Sequence, residues 1–253
     1  RKGPGVGCVW MERFVDAEKD FGPPDVQLYE FASLPSPRVV KTHALPMLLL
    51  GREPPTHKMH FAHQGEAASL PPPLLPQGVR VIYLSREPKD VVLSSYHHPA
   101  GATSPANTGW PLDAFVALWA AGKVEHGEWS DHVCAWARYA AAHELHEQGR
   151  KASGKATDPR RVTRFLEVRY DELQADLRSE VRKVADLLGM GDADDALIDA
   201  VVAASGFDAM KRQANNAPHL REGKAGGGGA AFGRQLTKEF DATFRERVAK
   251  CGL

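Results

Sequence analysis

The run Val79-Arg80-Val81-Ile82-Tyr83-Leu84 is short, apolar and dominated by β-branched and aromatic residues, and Pro88 stands four positions beyond it. Such a run reads as a buried strand. Proline in the first turn of a helix costs no hydrogen bond, so the chain leaves the strand and enters a helix over Lys89 to His97 within a few residues. Arg38-Val39-Val40-Lys41-Thr42 and Val162 to Val168 read as strands on the same grounds. The latter runs straight into an amphipathic helix over Asp171 to Leu188, closed by Gly189. Strand followed at once by helix predicts an α/β fold, with a central parallel sheet flanked by helices on both faces.

Four more segments, Leu112 to Ala121, Trp129 to Gln148, Asp194 to Ala204 and Leu236 to Ala249, carry apolar residues at helical spacing. Trp110, Trp119, Trp129 and Trp136 supply bulk for the core. Gly51 to Gln77 holds six prolines, which deny backbone donors and helical angles, and reads as a surface insertion. The glycine run Gly226 to Gly229 predicts no regular structure. At 253 residues, 43% of them hydrophobic, the chain suits one domain over 1–253 with that insertion. Arg1 in place of methionine reads as an N-terminally incomplete chain.

Lys+Arg and Asp+Glu both number 32, so no global positive field holds nucleic acid and any anion site is local. No apolar run has the length of a membrane span. Cys8, Cys134 and Cys251 lack metal spacing and leave one over, which argues against disulfides and for a reducing, cytoplasmic setting. His57, His60 and His63 lie three apart in the proline-rich stretch without a supporting carboxylate or cysteine pattern, and read as exposed loop with no metal.

Tyr83-Leu84-Ser85-Arg86-Glu87-Pro88-Lys89-Asp90-Val91-Val92-Leu93-Ser94 puts an arginine at the strand's carboxyl end and a serine eight residues on. A guanidinium fork, a hydroxyl and the free amides of a helix N-terminus suit a phosphate monoester. A surface arginine with a helix-packed serine is equally compatible with this spacing. Gly149 to Ala156 nearly fits the Walker pattern, yet it follows the polar end of a helix instead of linking strand to helix, so a solvated basic loop is preferred to an NTPase reading.

The Leu84 to Val91 segment with Ser94 resembles the 3′-phosphate segment of cytosolic sulfotransferases, which use 3′-phosphoadenosine 5′-phosphosulfate as donor and need no metal. Pro37 to His43 is similar to that family's strand ending in Lys-Thr-His. Gly122, Val124, Gly127, Trp129, His132 and Trp136 match another family stretch in order. Val168 to Leu173, Ser205-Gly206-Phe207 and Arg221-Glu222-Gly223 follow, also in order. The resemblance implies His43 as general base, Lys41 as a cation beside the transferring group, and Arg86, Ser94, Arg221 and Gly223 around the 3′-phosphate. It implies Tyr170, Ser205 and Phe207 around the adenine, and a small hydroxylated acceptor as partner. The family's 5′-phosphosulfate loop, Tyr-Pro-Lys-Ser-Gly-Thr-Thr-Trp, is matched by Pro4, Gly7 and Trp10, while Gly5 replaces the lysine and Val6, Cys8 and Val9 replace hydroxyl residues. Those replacements keep open a second reading, a nucleotide-binding protein without turnover. The family's C-terminal dimer motif is absent from Gly229 to Lys238, so that dimer is not expected.

Overall fold

The computed structural model describes residues 8–10, 39–41, 75–98, 108–124, 128–154, 158, 161–213 and 223–251. Strands β1 (Cys8–Trp10) and β2 (Val39–Lys41) pair in parallel, with Trp10 opposite Lys41. Strands β3 (Arg80–Ser85) and β4 (Arg164–Arg169) form a second parallel pair, in register from Arg80 opposite Arg164 to Ser85 opposite Arg169. Parallel pairing follows from sequence in which helices separate β3 from β4, because no hairpin can return the chain.

Side chains alternate across the β3–β4 pair, and each face meets its own helix. On one face Val81 joins Leu75 and two residues of α3 (Trp129–Ala152), Trp136 and Tyr139, in a buried cluster. Tyr83 stacks on Trp136 with ring centroids 5.4 Å apart. Burial, reinforced by the Glu167 carboxylate, pushes the Tyr83 phenol far above its ordinary range. On the other face α5 (Leu177–Leu188) is latched by Arg80 Nε donating to the Leu187 carbonyl at 3.0 Å and Arg164 Nη1 to that of Asp186 at 3.1 Å. The expected α/β fold with parallel strands holds for this pair, and on the α5 side Ile82 and Leu84 stay 47% and 55% exposed beyond the reach of that helix.

A larger core lies among α1 (Pro88–Tyr96), α2 (Leu112–Ala120) and α8 (Gly227–Ala249), built from Val92, Phe115, Val116, Trp119, Phe232, Phe240 and Phe244. Burying each such side chain contributes about 1.5–3 kcal/mol. All four helix-associated tryptophans belong to the packed interior, Trp119 and Trp136 fully and Trp110 and Trp129 in part.

Three expectations need correction, and one short helix is added to them. The helix expected over Asp171 to Leu188 is two, α4 (Tyr170–Ala175) and α5, broken at Asp176, whose carboxylate accepts from Ser179 N–H at 3.0 Å. An aspartate that caps a helix start outcompetes continuation of the preceding turn. After α6 (Asp195–Ser205) a short α7 (Phe207–Gln213) follows, where the sequence gives no strong periodicity. The glycine run opens α8 instead of lying outside any element, and α8 bends at Gly233, where φ is 69°. Finally, Cys134 and Cys251 are joined, with Cα atoms 5.7 Å apart across 117 residues of sequence. The odd cysteine count concealed this pair, because the end of α8 returns to α3 only in the fold. Residues 51–74, with His57, His60 and His63, lie outside the described residues. Among the described residues no helix is long and apolar enough to cross a membrane, and no group of three or more His, Cys, Asp or Glu is placed to hold a metal.

Candidate functional site

Ligands of parallel α/β sheets gather beyond the carboxyl ends of the strands. At that end of β3 stands Arg86, and at that end of β4 stands Tyr170, brought together by the in-register pairing of the two strands. The Arg86 guanidinium lies over the Tyr170 ring, 4.2 Å from its centroid, a cation–π contact. Arg86 Nη2 donates to the Lys224 carbonyl at 3.2 Å and sits 3.8 Å from Asp90 Oδ2. Its Nε is buried and finds no partner among the described residues. A buried guanidinium N–H left unpaired costs free energy that an anionic oxygen would recover.

The neighbouring cation is already engaged. Burial pulls Lys89 down, but its bonds to Asp241 at 2.5 Å and Glu87 at 3.0 Å outweigh that and raise its pKa, so the ammonium stays charged and tied. Arg86 thus keeps a donor free where Lys89, among the described residues, has spent its own on carboxylates.

Gly223 adjoins Lys224, and its φ of +61° favours glycine. A Cβ there would fall 2.3 Å from Cδ2 of Phe207, so the Gly223 backbone lies flat against the ring of Phe207, the first residue of α7. Lys211 Nζ stands 5.8 Å from that ring's centroid. Tyr170, Arg86, Lys224, Gly223 and Phe207 therefore form one unbroken chain of contacts. A cation, a glycine backbone and two aromatic rings in such an array suit an aromatic base carrying a phosphate.

Ser94 lies two turns into α1 and is exposed; Ser205, the last residue of α6, is half-buried. Lys41 and Trp10 end β2 and β1 side by side. His43, Gly7 and Arg221 lie outside the described residues. Of the Walker-like Gly149 to Ala156, Gly149 to Ala152 form the last turn of α3 instead of following a strand, and Lys155 and Ala156 lie outside the described residues. A cavity of about 600 Å³ opens at the opposite end of β4, lined by His143, Arg150, Arg164, Lys183 and Leu187 among others, away from Arg86.

Asp90 is a residue of this site that sequence alone does not single out. It is 2% exposed, and its Oδ2 and Oδ1 accept from the amides of Gly226 and Gly228, each at 2.7 Å. Its spacing of four from Arg86 was the one available signal; its partners 136 and 138 residues away left none.

A family model described as the sulfotransferase domain matches residues 52–147 and 155–252. The chain belongs to the sulfotransferase family. The matched segments contain Arg86, Ser94, Tyr170, Ser205, Phe207, Arg221 and Gly223, while Gly7, Trp10, Lys41 and His43 precede them. Among curated relatives, sulfotransferase 2B1 of Mus musculus is 27% identical over 88% of this chain and 57% of its own length. Sulfotransferase 2B1 of Rattus norvegicus is 32% identical over 67% of this chain and 47% of its own. The chain thus spans about half the length of these relatives. The crystal structure of mouse sulfotransferase SULT7A1 complexed with PAP superposes with a TM-score of 0.61 at 19% identity, covering 95% of this chain and 82% of that one, a likeness of fold.

Proposed function

We propose that this sulfotransferase-family chain, as a single domain, moves the sulfuryl group of 3′-phosphoadenosine 5′-phosphosulfate to a hydroxyl of a small acceptor. The observation that carries the reading is the buried, unpartnered Nε of Arg86, set between Tyr170 and the Gly223–Phe207 pair. In this reading Arg86, with Ser94, Arg221 and the Gly223 amide, holds the 3′-phosphate, and Tyr170, Ser205 and Phe207 border the adenine. The acceptor oxygen attacks sulfur, the sulfur–oxygen bond to the 5′-phosphate breaks, and the bisphosphate nucleotide leaves. His43 takes the acceptor proton, a task suited to imidazole near neutral pH. Lys41 offsets negative charge on the transferring group. The backbone around Gly7 and Trp10 serves the 5′ side, where Gly5 supplies no charge.

Binding and turnover test the reading separately. By calorimetry, Arg86→Ala lowers affinity for 3′-phosphoadenosine 5′-phosphate about 100-fold, because charge-assisted bonds are lost. His43→Ala keeps that affinity and lowers sulfated product formation by roughly 10²–10⁴. Equal turnover by wild type and His43→Ala removes the proposed base. Tight nucleotide binding with no sulfated phenol, alcohol or amine favours the binding-protein reading, which the replaced lysine and hydroxyls at Gly5, Val6, Cys8 and Val9 support.

A further inference from the structure

Asp90 sits where its charge is unexpected. A carboxylate 3.8 Å from an arginine assigned to a phosphate opposes the phosphate by simple Coulomb attraction and repulsion. Yet it is almost wholly buried, and both its oxygens are consumed by the first amides of α8. Gly228 comes so close that a Cβ on it would lie 2.3 Å from the Lys89 carbonyl carbon. The start of α8 is therefore pinned directly on the first turn of α1, and the segment just before it contains Lys224, which accepts from Arg86, and Gly223, which lies on Phe207.

We infer that Asp90 is a positioning residue for the 3′-phosphate site, resting on the function proposed above: it fixes the Gly223–Gly228 segment and the Arg86 fork in one arrangement. Its two oxygens satisfy amides that would otherwise compete for an incoming phosphate, and its charge holds the guanidinium against Lys224 and Tyr170. In Asp90→Asn the side chain keeps its size, but one end becomes a donor facing an amide N–H and the arginine loses its counter-charge. Screening alone predicts tighter phosphate binding in the variant; positioning predicts weaker binding. The sign decides.

The test is calorimetric titration of the full chain, wild type and Asp90→Asn, with 3′-phosphoadenosine 5′-phosphate and with adenosine 5′-phosphate. The expected result is that wild type prefers the bisphosphate and that the variant loses about tenfold in affinity for it while holding the monophosphate within about twofold. Unchanged or tighter bisphosphate binding overturns the inference, and so does an equal loss for both ligands, which marks general damage. A wild type that binds the two ligands alike overturns the donor-site reading itself, and this role of Asp90 with it. Should the variant fail to fold, amide hydrogen exchange on wild type decides: the Gly226 and Gly228 amides gain protection with the bisphosphate and not with the monophosphate. Equal protection by both sinks the inference.

Discussion

Replacing Gly228 by alanine puts a methyl carbon 2.3 Å from the carbonyl carbon of Lys89, 2.4 Å from its oxygen and 2.6 Å from the Asp90 nitrogen. All three are backbone atoms of a helix and none swings aside, so α8 retreats by roughly 1 Å to reach an ordinary carbon–carbon separation of about 3.5 Å. Overpacking of this kind costs about 1–3 kcal/mol, and the retreat also stretches the two Asp90 bonds, which places the cost at the upper end. The better helix propensity of alanine offsets at most about 1 kcal/mol. The net expectation is a loss of about 1–2 kcal/mol, which at this chain length lowers the thermal midpoint by roughly 3–6 °C. Gly229 supplies the control, since a Cβ there meets nothing within 4 Å. Gly229→Ala should therefore raise stability by about 0.5–1 kcal/mol through propensity alone. Thermal and urea unfolding followed by circular dichroism measure both variants. If Gly228→Ala proves as stable as Gly229→Ala, the close approach of α8 to α1 is refuted.

The Cys134–Cys251 pair closes 117 residues of sequence, and removing such a cross-link typically costs about 2–4 kcal/mol. Thiol titration of the unfolded, unreduced protein should count one free sulfhydryl, that of Cys8; three would contradict the pairing. Tyr83 and Tyr139 are both raised above the ordinary tyrosine range, chiefly by burial. Because the unfolded chain ionises first, their contribution to stability is complete below about pH 10 and is lost as pH rises toward the folded values. Ultraviolet titration should accordingly show these two phenols silent until alkaline unfolding, whereas smooth ionisation of every tyrosine in the native protein would argue against the stack of Tyr83 on Trp136.

Much of this was legible locally. β-Branched runs gave β2, β3 and β4, Pro88 gave the start of α1, and the tryptophans gave the core, because burial and proline geometry act over a few residues. Arg86, Tyr170, Phe207 and Gly223 were selected by their likeness to a family pattern, and in the fold they touch or adjoin through Lys224. What stayed hidden depends on contacts far apart in sequence. Glycine has poor helix propensity, so nothing local marks Gly227 to Gly229 as a helix start. The helix exists there because only a missing side chain lets it press on α1 and because Asp90 satisfies its first amides. A lone aspartate in the first turn of a helix is otherwise an ordinary dipole partner, and its second role is invisible without the distant amides that donate to it.

The clamp of α8 on α1 also orders events during synthesis. A nascent chain that has emerged through Tyr170 already owns the strands, the arginine and the ring beneath it, but lacks Lys224 and the turn that Asp90 grips. On the function proposed above, nucleotide does not template early folding, since the Arg86 site is finished only when a stretch more than 130 residues downstream arrives. Ribosome-stalled chains ending before that stretch should be folded in part and blind to the nucleotide.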